Sequence, residues 1–212
     1  MDKTLHYLFD PLCGWCYGAA PAVSPLLKVP GLHVKLQPTG LFSGAGARSM
    51  DSAFAAFAWS NDQRILHLTG QPFSAQYRGQ VLFGQPQMFD SEPATLALTA
   101  VSLSAPAQAF DALKAIQHAR YVDGSDVTSF AVLADVLRAL GLEDAAAQLS
   151  QPDAALLSAC RSSVAQAQRL MQELGARGVP TLVLESGGRR QMLNLDPGNS
   201  DSQALVRQIE AA

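Results

Sequence analysis

The sequence predicts an α/β fold in which a short βαβ unit and a final ββα unit are separated by a large all-helical insertion. Hydrophobic residues alternate, as they do in strands, near the two ends of the chain, whereas residues 45–175 follow a helical period with turn residues between segments. With 212 residues, 48% of them hydrophobic, the chain is long enough for one core that carries such an insertion.

The first unit begins with a strand over residues 4–9, which alternate and are rich in aromatic and branched side chains. A helix is predicted over residues 14–28, and Pro21 should kink or split it because proline has no N–H and crowds the preceding turn. After the turn at Pro30 and Gly31, residues 32–36 alternate again and predict a second strand, which completes a compact βαβ unit.

The middle of the chain predicts six helices, and several of them have recognisable ends. Asp126 and Asp153 are typical N-cap residues, Pro93 suits a first helical position, and Gly141 and Gly175 suit C-terminal caps. The predicted helices span residues 51–68, 74–83, 93–103, 106–121, 126–140 and 153–174.

The end of the chain returns to a strand pattern. Residues 181–184 and 191–195 predict a hairpin around a turn at residues 186–188, and residues 202–209 predict a final helix. The order βαβ, helical insertion, ββα is the thioredoxin arrangement with an expanded middle. We therefore expect residues 1–44 and 176–212 to form a thioredoxin-like domain and residues 45–175 to form a helical insertion domain.

A pair of cysteines, Cys13-Gly14-Trp15-Cys16, stands between the first strand and the first helix. One turn at a helix start brings the first and fourth residues together, so the pair can close a disulfide. Unpaired N–H groups and the positive dipole end of the helix favour the thiolate of the first cysteine, which is the attacking species. The sequence therefore predicts Cys13 as the nucleophile and a less exposed Cys16 as its partner.

The third cysteine, Cys160, lies in a segment with apolar residues at helical spacing, and we expect it to be buried as a small hydrophobic side chain. A structural zinc site normally needs four ligands, and the chain has neither a second Cys-x-x-Cys nor a closely spaced histidine pair. No metal site is predicted.

Two segments give the chain a family resemblance. Residues 9–18, FDPLCGWCYG, at the end of the first strand and residues 178–181, GVPT, at the start of another strand accompany the helical insertion. In these features the chain resembles the DsbA-like branch of the thioredoxin superfamily, and Trp15 before the second cysteine resembles its cytoplasmic-type members.

This resemblance implies a disulfide oxidoreductase in which Val179–Pro180 forms a cis peptide bond beside the cysteines. The backbone of Val179 would then pair with an extended substrate, as in strand addition. Trp15 is expected either to contact the substrate or to cap the helix against the sheet. No tightly bound cofactor is expected, and glutathione is a candidate reductant or substrate.

The mechanism expected from this pair is attack of Cys13 on a substrate disulfide, followed by attack of Cys16 on the mixed disulfide; the reverse sequence would oxidise a dithiol. Asp10 continues the side of the first strand that carries His6 and Leu8, so it could lie near the site. It could transfer a proton to Cys16, but a turn-forming role in Asp10-Pro11 is favoured.

The composition limits the partners. A formal net charge of −3 provides no broad basic surface, which argues against nucleic acids and anionic membranes. The start of the chain lacks the basic and apolar regions of a signal peptide, and no apolar run reaches the length of a membrane span. We expect a cytoplasmic protein that acts on a protein or small-molecule disulfide or dithiol. The sequence does not predict the number of subunits.

Two other functions remain open. Kappa-class glutathione transferases and hydroxychromene-carboxylate isomerases share the helical insertion, but they do not need both cysteines. A redox-switched binding module without turnover could use the aromatic residues of the early insertion. Packing in the core is the favoured prediction for this aromatic group, which comprises Phe54, Phe57, Trp59, Phe73, Tyr77, Phe83 and Phe89.

Overall fold

The computed structural model describes residues 3–85, 87–195 and 202–211. Its main sheet has four strands in the order β2-β1-β5-β6, and β3 and β4 form a separate two-stranded sheet. The strands are β1 Lys3–Phe9, β2 Leu32–Pro38, β3 Arg48–Ser49, β4 Met88–Phe89, β5 Thr181–Ser186 and β6 Arg189–Leu193. β1 pairs in parallel with β2, while β5 is antiparallel to both β1 and β6.

Six of the helices lie between β2 and β5 in the chain, which confirms the predicted helical insertion. The helices are α1 Gly14–Val23, α2 Ser52–Thr69, α3 Glu92–Ser104, α4 Ala109–Tyr121, α5 Phe130–Ala139, α6 Glu143–Ser150, α7 Ala154–Leu174 and α8 Ser202–Glu210. Short 3₁₀ turns span Ser24–Lys28, Gly44–Gly46 and Pro106–Gln108, and a π-helix spans Tyr77–Leu82.

One apolar core joins the sheet to the insertion. It contains Leu5 of β1 and Leu184 of β5 together with Ala97 of α3, Leu113 of α4 and Leu133 of α5. The insertion therefore packs on the sheet rather than standing apart from it. No helix within the described ranges combines the length and hydropathy needed to cross a bilayer.

Several predicted helix ends are confirmed. The Asp153 carboxylate accepts a 2.7 Å hydrogen bond from the N–H of Leu156 at the start of α7. Gly175 ends the same helix with φ 67°, and Gly141 follows α5 with φ 74°. Both glycines adopt the left-handed conformation that closes a helix at low steric cost.

Other predicted boundaries are wrong for local reasons. Asp126 does not cap a helix, because its carboxylate accepts hydrogen bonds from the backbone N–H and hydroxyl of Thr128, and α5 begins later, at Phe130. Pro93 occupies the second rather than the first position of α3, which begins at Glu92. The predicted helix over residues 74–83 is largely the π-helix, and the one over residues 106–121 begins with a 3₁₀ turn.

The sequence patterns also missed two elements and displaced one. Helix α6 and the β3–β4 pair were not predicted, since both are short. β6 begins two residues before the predicted start because Gly187 and Gly188, with φ 57° and 76°, form the whole turn between β5 and β6. Positive φ at both central residues is the geometry of a tight two-residue hairpin.

Candidate active site

The Cys-x-x-Cys segment lies where β1 ends and α1 begins. Cys13 is the N-cap residue of α1, with φ −82° and ψ 115°, and its carbonyl oxygen accepts a 3.1 Å hydrogen bond from the N–H of Tyr17. Cys16 lies within the first turn of the helix. Both residues are free thiols in this structure. Cys13 keeps 6% of its surface exposed and Cys16 none, so the predicted difference in accessibility is present.

The surroundings of Cys16 keep it protonated. Burial raises its pKa well above the ordinary value, and the adjacent Cys13 side chain raises it further. The thiol of Cys13 makes no hydrogen bond to the N–H groups at the helix start, and it lies 3.7 Å from the carbonyl oxygen of Val179, to which it donates. The two sulfurs therefore have different environments, one at the edge of the site and one beneath it.

The loop before β5 lies against Cys13. Val179–Pro180 is a cis peptide bond, as the resemblance implied. Both residues are half-buried, and within the described residues the Val179 N–H donates no hydrogen bond. Thr181, the next residue, begins β5 and pairs with Leu8 of β1. The fold thus brings the distant Val179 to the first cysteine.

A cleft of about 210 Å³ opens beside Cys13. Trp15 lines it and is half-buried, with the Arg64 guanidinium 5.7 Å from the centre of its ring. The residues that line the cleft are Leu12, Cys13, Gly14, Trp15, Phe42, Phe54, Phe57, Ala58, Asn61, Asp62, Ile65, Tyr77, Phe89 and Tyr121. Half of these residues are aromatic, and the polar groups come from the start of α1, from α2, from the π-helix and from Tyr121 of α4.

The aromatic group of the early insertion is divided between core and cleft. Phe73, Tyr77 and Phe89 are buried, as favoured by the sequence pattern. That expectation is wrong for Phe57 and Phe83, which are 64% and 46% exposed. Because Tyr77, Phe89 and Phe57 also line the cleft, several of these rings form its wall as well as packing the insertion.

Helix α2 approaches the start of α1 unusually closely. A methyl group built on Gly14 would lie 2.8 Å from Oδ1 of Asp62, and one built on Gly18 would lie 2.6 Å from Cγ2 of Ile65. Glycine at these two positions, one turn apart on the same face, therefore leaves room for α2 beside the cysteines. The close approach is what places Asp62 at the cleft.

Sequence patterns gave no signal for Asp62 or Arg120. Asp62 lies in the polar run 60–64, which resembles a solvated helix face, yet Asp62 is only 4% exposed. Its carboxylate accepts a 2.9 Å hydrogen bond from the Tyr77 hydroxyl. Burial raises the pKa of Asp62 to about 7, although Tyr77 and Arg120 oppose the shift. Arg120 is 2% exposed, and its Nε has no hydrogen-bond partner among the residues that the structure describes.

Asp10 is fully buried and holds the loop before the cysteines. Its carboxylate accepts hydrogen bonds from the N–H of Leu12 (2.9 Å), the N–H of Phe42 (3.1 Å) and the hydroxyl of Ser91 (2.7 Å). Burial nevertheless raises the pKa of Asp10. The bond to Leu12 is the turn-forming contact expected for Asp10. The negative charge of the Asp10 carboxylate also helps to raise the pKa of the buried Cys16 thiol.

Cys160 and metal ligation complete the site residues considered from the sequence. Cys160 is 7% exposed on α7, which confirms its burial. Burial also raises the pKa of its thiol. Across the described ranges, no three His, Cys, Asp or Glu side chains are grouped as a metal ion would require.

Comparison with known proteins found one matching family and several similar solved structures. The sequence matches the family described as DSBA-like thioredoxin domain over residues 4–210. The cytosolic disulfide reductase DsbM from Pseudomonas aeruginosa is 36% identical, with a TM-score of 0.86 and coverage of 99% of this chain and 100% of that protein. A structure of the same reductase with GSH is 33% identical, has a TM-score of 0.80 and covers 98% of each chain.

A third structure, 2-hydroxychromene-2-carboxylate isomerase, is 17% identical, with a TM-score of 0.56 and coverage of 98% of this chain and 94% of that protein. At this identity the likeness extends to the fold alone. Comparison with curated proteins gave no match. The family match spans nearly all of the chain, so this protein belongs to the DSBA-like thioredoxin domain family.

Proposed function

We propose that this protein, an enzyme of the DsbA-like disulfide oxidoreductase type, works as a disulfide reductase in which Cys13 attacks the substrate and Cys16 resolves the mixed disulfide. The observation that carries the proposal is the contrast between the two sulfurs. Cys13 lies at a helix start against Val179, whereas Cys16 is fully buried beneath it with a raised pKa. Two-step exchange needs an attacking thiol that is more accessible than the resolving thiol, and Cys13 keeps 6% of its surface exposed while Cys16 keeps none.

The reaction would begin with attack of the Cys13 thiolate on one sulfur of the substrate disulfide, which releases the other sulfur as a thiolate. Cys16 would then lose its proton and attack Cys13, so that the substrate leaves as a second thiol and the enzyme holds a disulfide. Deprotonation of Cys16 needs an acceptor because burial disfavours its thiolate. Asp10 is the carboxylate whose charge acts on Cys16, and we assign the acceptor role to it.

Substrate binding would use both sides of Cys13. On one side, the Val179 N–H, which donates to no other group in the described part of the chain, and the neighbouring Pro180 offer an edge to an extended chain or to the amide groups of a small disulfide. On the other, Trp15 and the aromatic cleft of about 210 Å³ offer an apolar surface. That volume suits a small molecule or one or two side chains rather than a folded partner.

Reduction as the working direction, glutathione as the thiol partner and a cytoplasmic location rest on the similarity to DsbM. That protein is a cytosolic disulfide reductase, and one of its structures contains GSH. We propose that glutathione regenerates the dithiol after each turnover or supplies the disulfide substrate. The isomerase alternative is not favoured, since the isomerase relative is 17% identical while the reductase is 36% identical.

The test is a reductase assay with a mixed disulfide of glutathione as substrate and reduced glutathione as the reductant, on wild-type protein and three cysteine variants, with intact masses measured after incubation with the substrate alone. Cys13→Ala is expected to abolish turnover. Cys16→Ala should stop after one step and accumulate a mixed disulfide with one glutathione, detectable by intact mass. Cys160→Ala is the matched control and should keep wild-type activity, because that thiol lies outside the Cys-x-x-Cys pair.

Three outcomes would contradict the proposal. Turnover by Cys13→Ala would exclude the assigned nucleophile. Glutathione conjugation that survives Cys16→Ala, without any disulfide reduction by the wild type, would favour the transferase or isomerase function. Redox-dependent partner binding without turnover would favour the binding module.

A further inference from the structure

A buried cluster of ionisable groups outside the Cys-x-x-Cys pair adjoins Cys13 and has no role in the exchange steps above. Its centre is Asp62 on α2, which lines the cleft together with Cys13. The ionisable groups that face Asp62 are Cys13 from the start of α1, Tyr77 from the π-helix, and Arg120 and Tyr121 from α4.

The charges of this cluster do not balance when all its acids are ionised. Burial raises the pKa values of Tyr77 and Tyr121 above their ordinary range, so both hydroxyls stay neutral. Asp62 and Cys13 line the same cleft and can each become negative, and the buried positive charge that acts on Asp62 is Arg120. In a site with little water, a negative charge on one of them disfavours a negative charge on the other.

The geometry points to a coupling between the protonation of Asp62 and the redox state of Cys13. This inference rests on the proposed function. We propose that Asp62 holds a proton while Cys13 is a thiolate and releases it when Cys13 enters the disulfide. The packing of α2 across Gly14 supports this. Because Gly14 has no Cβ, the Asp62 carboxyl can lie against the residue that follows Cys13. The Tyr77 hydroxyl, which donates to Oδ2, holds the carboxyl in this position.

The proton released by Asp62 completes the balance of the reduction. A reduced enzyme with a Cys13 thiolate and a Cys16 thiol carries two electrons for the substrate disulfide but only one sulfur-bound proton. The two thiol products need two protons. Cys16 supplies one, which Asp10 accepts and passes on to a product thiolate, and the Asp62 carboxyl supplies the other. This leaves a protein disulfide, Asp10 in its starting state, an Asp62 carboxylate under the influence of Arg120, and two neutral thiols. The total charge is the same before and after.

The direct measurement is a carbon-13 NMR titration of the Asp62 carboxyl in the reduced and in the disulfide forms of the whole protein. Asp62→Asn identifies the resonance. We expect the titration near pH 7 to have a higher midpoint in the reduced protein. The same midpoint in both forms would overturn the inference. So would a carboxyl that is ionised throughout the neutral range in the reduced protein.

A second measurement is the pH profile of alkylation of Cys13 by iodoacetamide. Asp62→Asn cannot acquire a negative charge, so its rate above pH 7 should exceed that of the wild type by ~3- to 10-fold, while the two rates should agree near pH 5. Asp51→Asn is the matched control, because it removes one charge from the exposed start of the same helix and asparagine also caps helices well. Identical profiles for wild type and Asp62→Asn would overturn the inference.

A third variant, Tyr77→Phe, should shift the titration midpoint of Asp62, and this test does not require that Asp62→Asn folds. It removes the donor that favours the Asp62 carboxylate, so the Asp62 midpoint should rise. An unchanged or lower midpoint would contradict the assigned contact. Both readouts use only the thiol and disulfide forms and need no turnover. A protein that shows the coupling but reduces no disulfide would therefore refute the proposed function alone.

Discussion

The side-chain amide of Gln71 donates a 3.1 Å hydrogen bond to the carbonyl oxygen of Tyr17, the oxygen that residue 21 would reach in an uninterrupted helix. Residue 21 is proline and has no N–H to offer. Helix α1 nevertheless continues past Pro21 to Val23, where the 3₁₀ turn begins. A residue just beyond α2 thus replaces the missing backbone donor of the helix that carries both active-site cysteines.

This contact predicts a non-additive pair of substitutions. Gln71→Ala should lower the free energy of unfolding by ~1–3 kcal/mol, because it leaves a carbonyl oxygen in the protein interior without a donor. In a Pro21→Ala background the same substitution should have a smaller effect, since the new N–H at residue 21 can bond to Tyr17. Urea unfolding of the two single variants and the double variant measures the coupling. Additive effects would show that Gln71 does not compensate for Pro21.

The close approach of α1 and α2 predicts a glycine-specific loss of stability. Gly18→Ala would direct a methyl group to 2.6 Å from Cγ2 of Ile65, so we expect it to destabilise the protein by ~1–3 kcal/mol despite the better helix propensity of alanine. Gly79→Ala is the matched control, because a methyl group there meets nothing within 4 Å. It should be neutral or slightly stabilising in thermal unfolding. Equal effects at the two positions would argue against tight packing at Gly18.

Local chemistry accounts for what the sequence predicted well. The Cys-x-x-Cys segment and the alternating strands have short-range patterns, so the order of elements and the two cysteines could be predicted from the residues themselves. Asp153 and Asp126 show the limit of such patterns. Both are aspartates before apolar helical segments, but only Asp153 bonds to the helix N–H, while Asp126 bonds to Thr128. The choice depends on the local path of the chain, which one residue type does not determine.

Long-range packing accounts for what the sequence did not predict. Asp62 and Arg120 are 58 residues apart in number, and each lies among residues typical of a helix surface. They become a buried pair only because α2 and α4 pack around Tyr77. Val179 could be connected with Cys13 through the family resemblance, but no periodicity of residues 176–181 indicated the 3.7 Å contact. Tertiary proximity of this kind leaves no trace in local composition.

The position of Trp15 predicts an effect on substrate binding rather than on folding. Trp15 lines the cleft beside Cys13, so Trp15→Ala should raise KM for a disulfide with an apolar group several-fold while changing kcat less. Trp59→Ala is the control, because Trp59 is the other tryptophan, packs against Arg78 and does not line the cleft. Steady-state kinetics on both variants would show whether Trp15 contributes to substrate binding. A fall in stability without a change in KM would instead assign Trp15 to capping the helix.

Burial of Asp62 predicts how the stability of the reduced protein depends on pH. The pKa of Asp62 rises from 3.8 to about 7 on folding, so between these values the folded state holds a proton that the unfolded state has lost. The free energy of unfolding should therefore fall as the pH rises through this window, and the contribution of the protonated carboxyl should be lost above pH 7. Asp10, whose pKa is also raised by burial, adds to the same slope.

The contribution of Asp62 can be separated by comparing the wild type with Asp62→Asn in denaturant titrations from pH 4 to pH 8. Asparagine has no proton to lose. From pH 4 to pH 8, the free energy of unfolding of the variant should therefore rise by roughly 2–4 kcal/mol relative to that of the wild type. Asp51→Asn removes an exposed carboxyl and keeps Asp62, so it should follow the wild-type slope. If the curves of wild type and Asp62→Asn stay parallel, Asp62 is ionised in the folded protein at every pH tested. Its carboxylate would then be fully compensated by Arg120 and Tyr77, and the reduced enzyme would have no second proton to give.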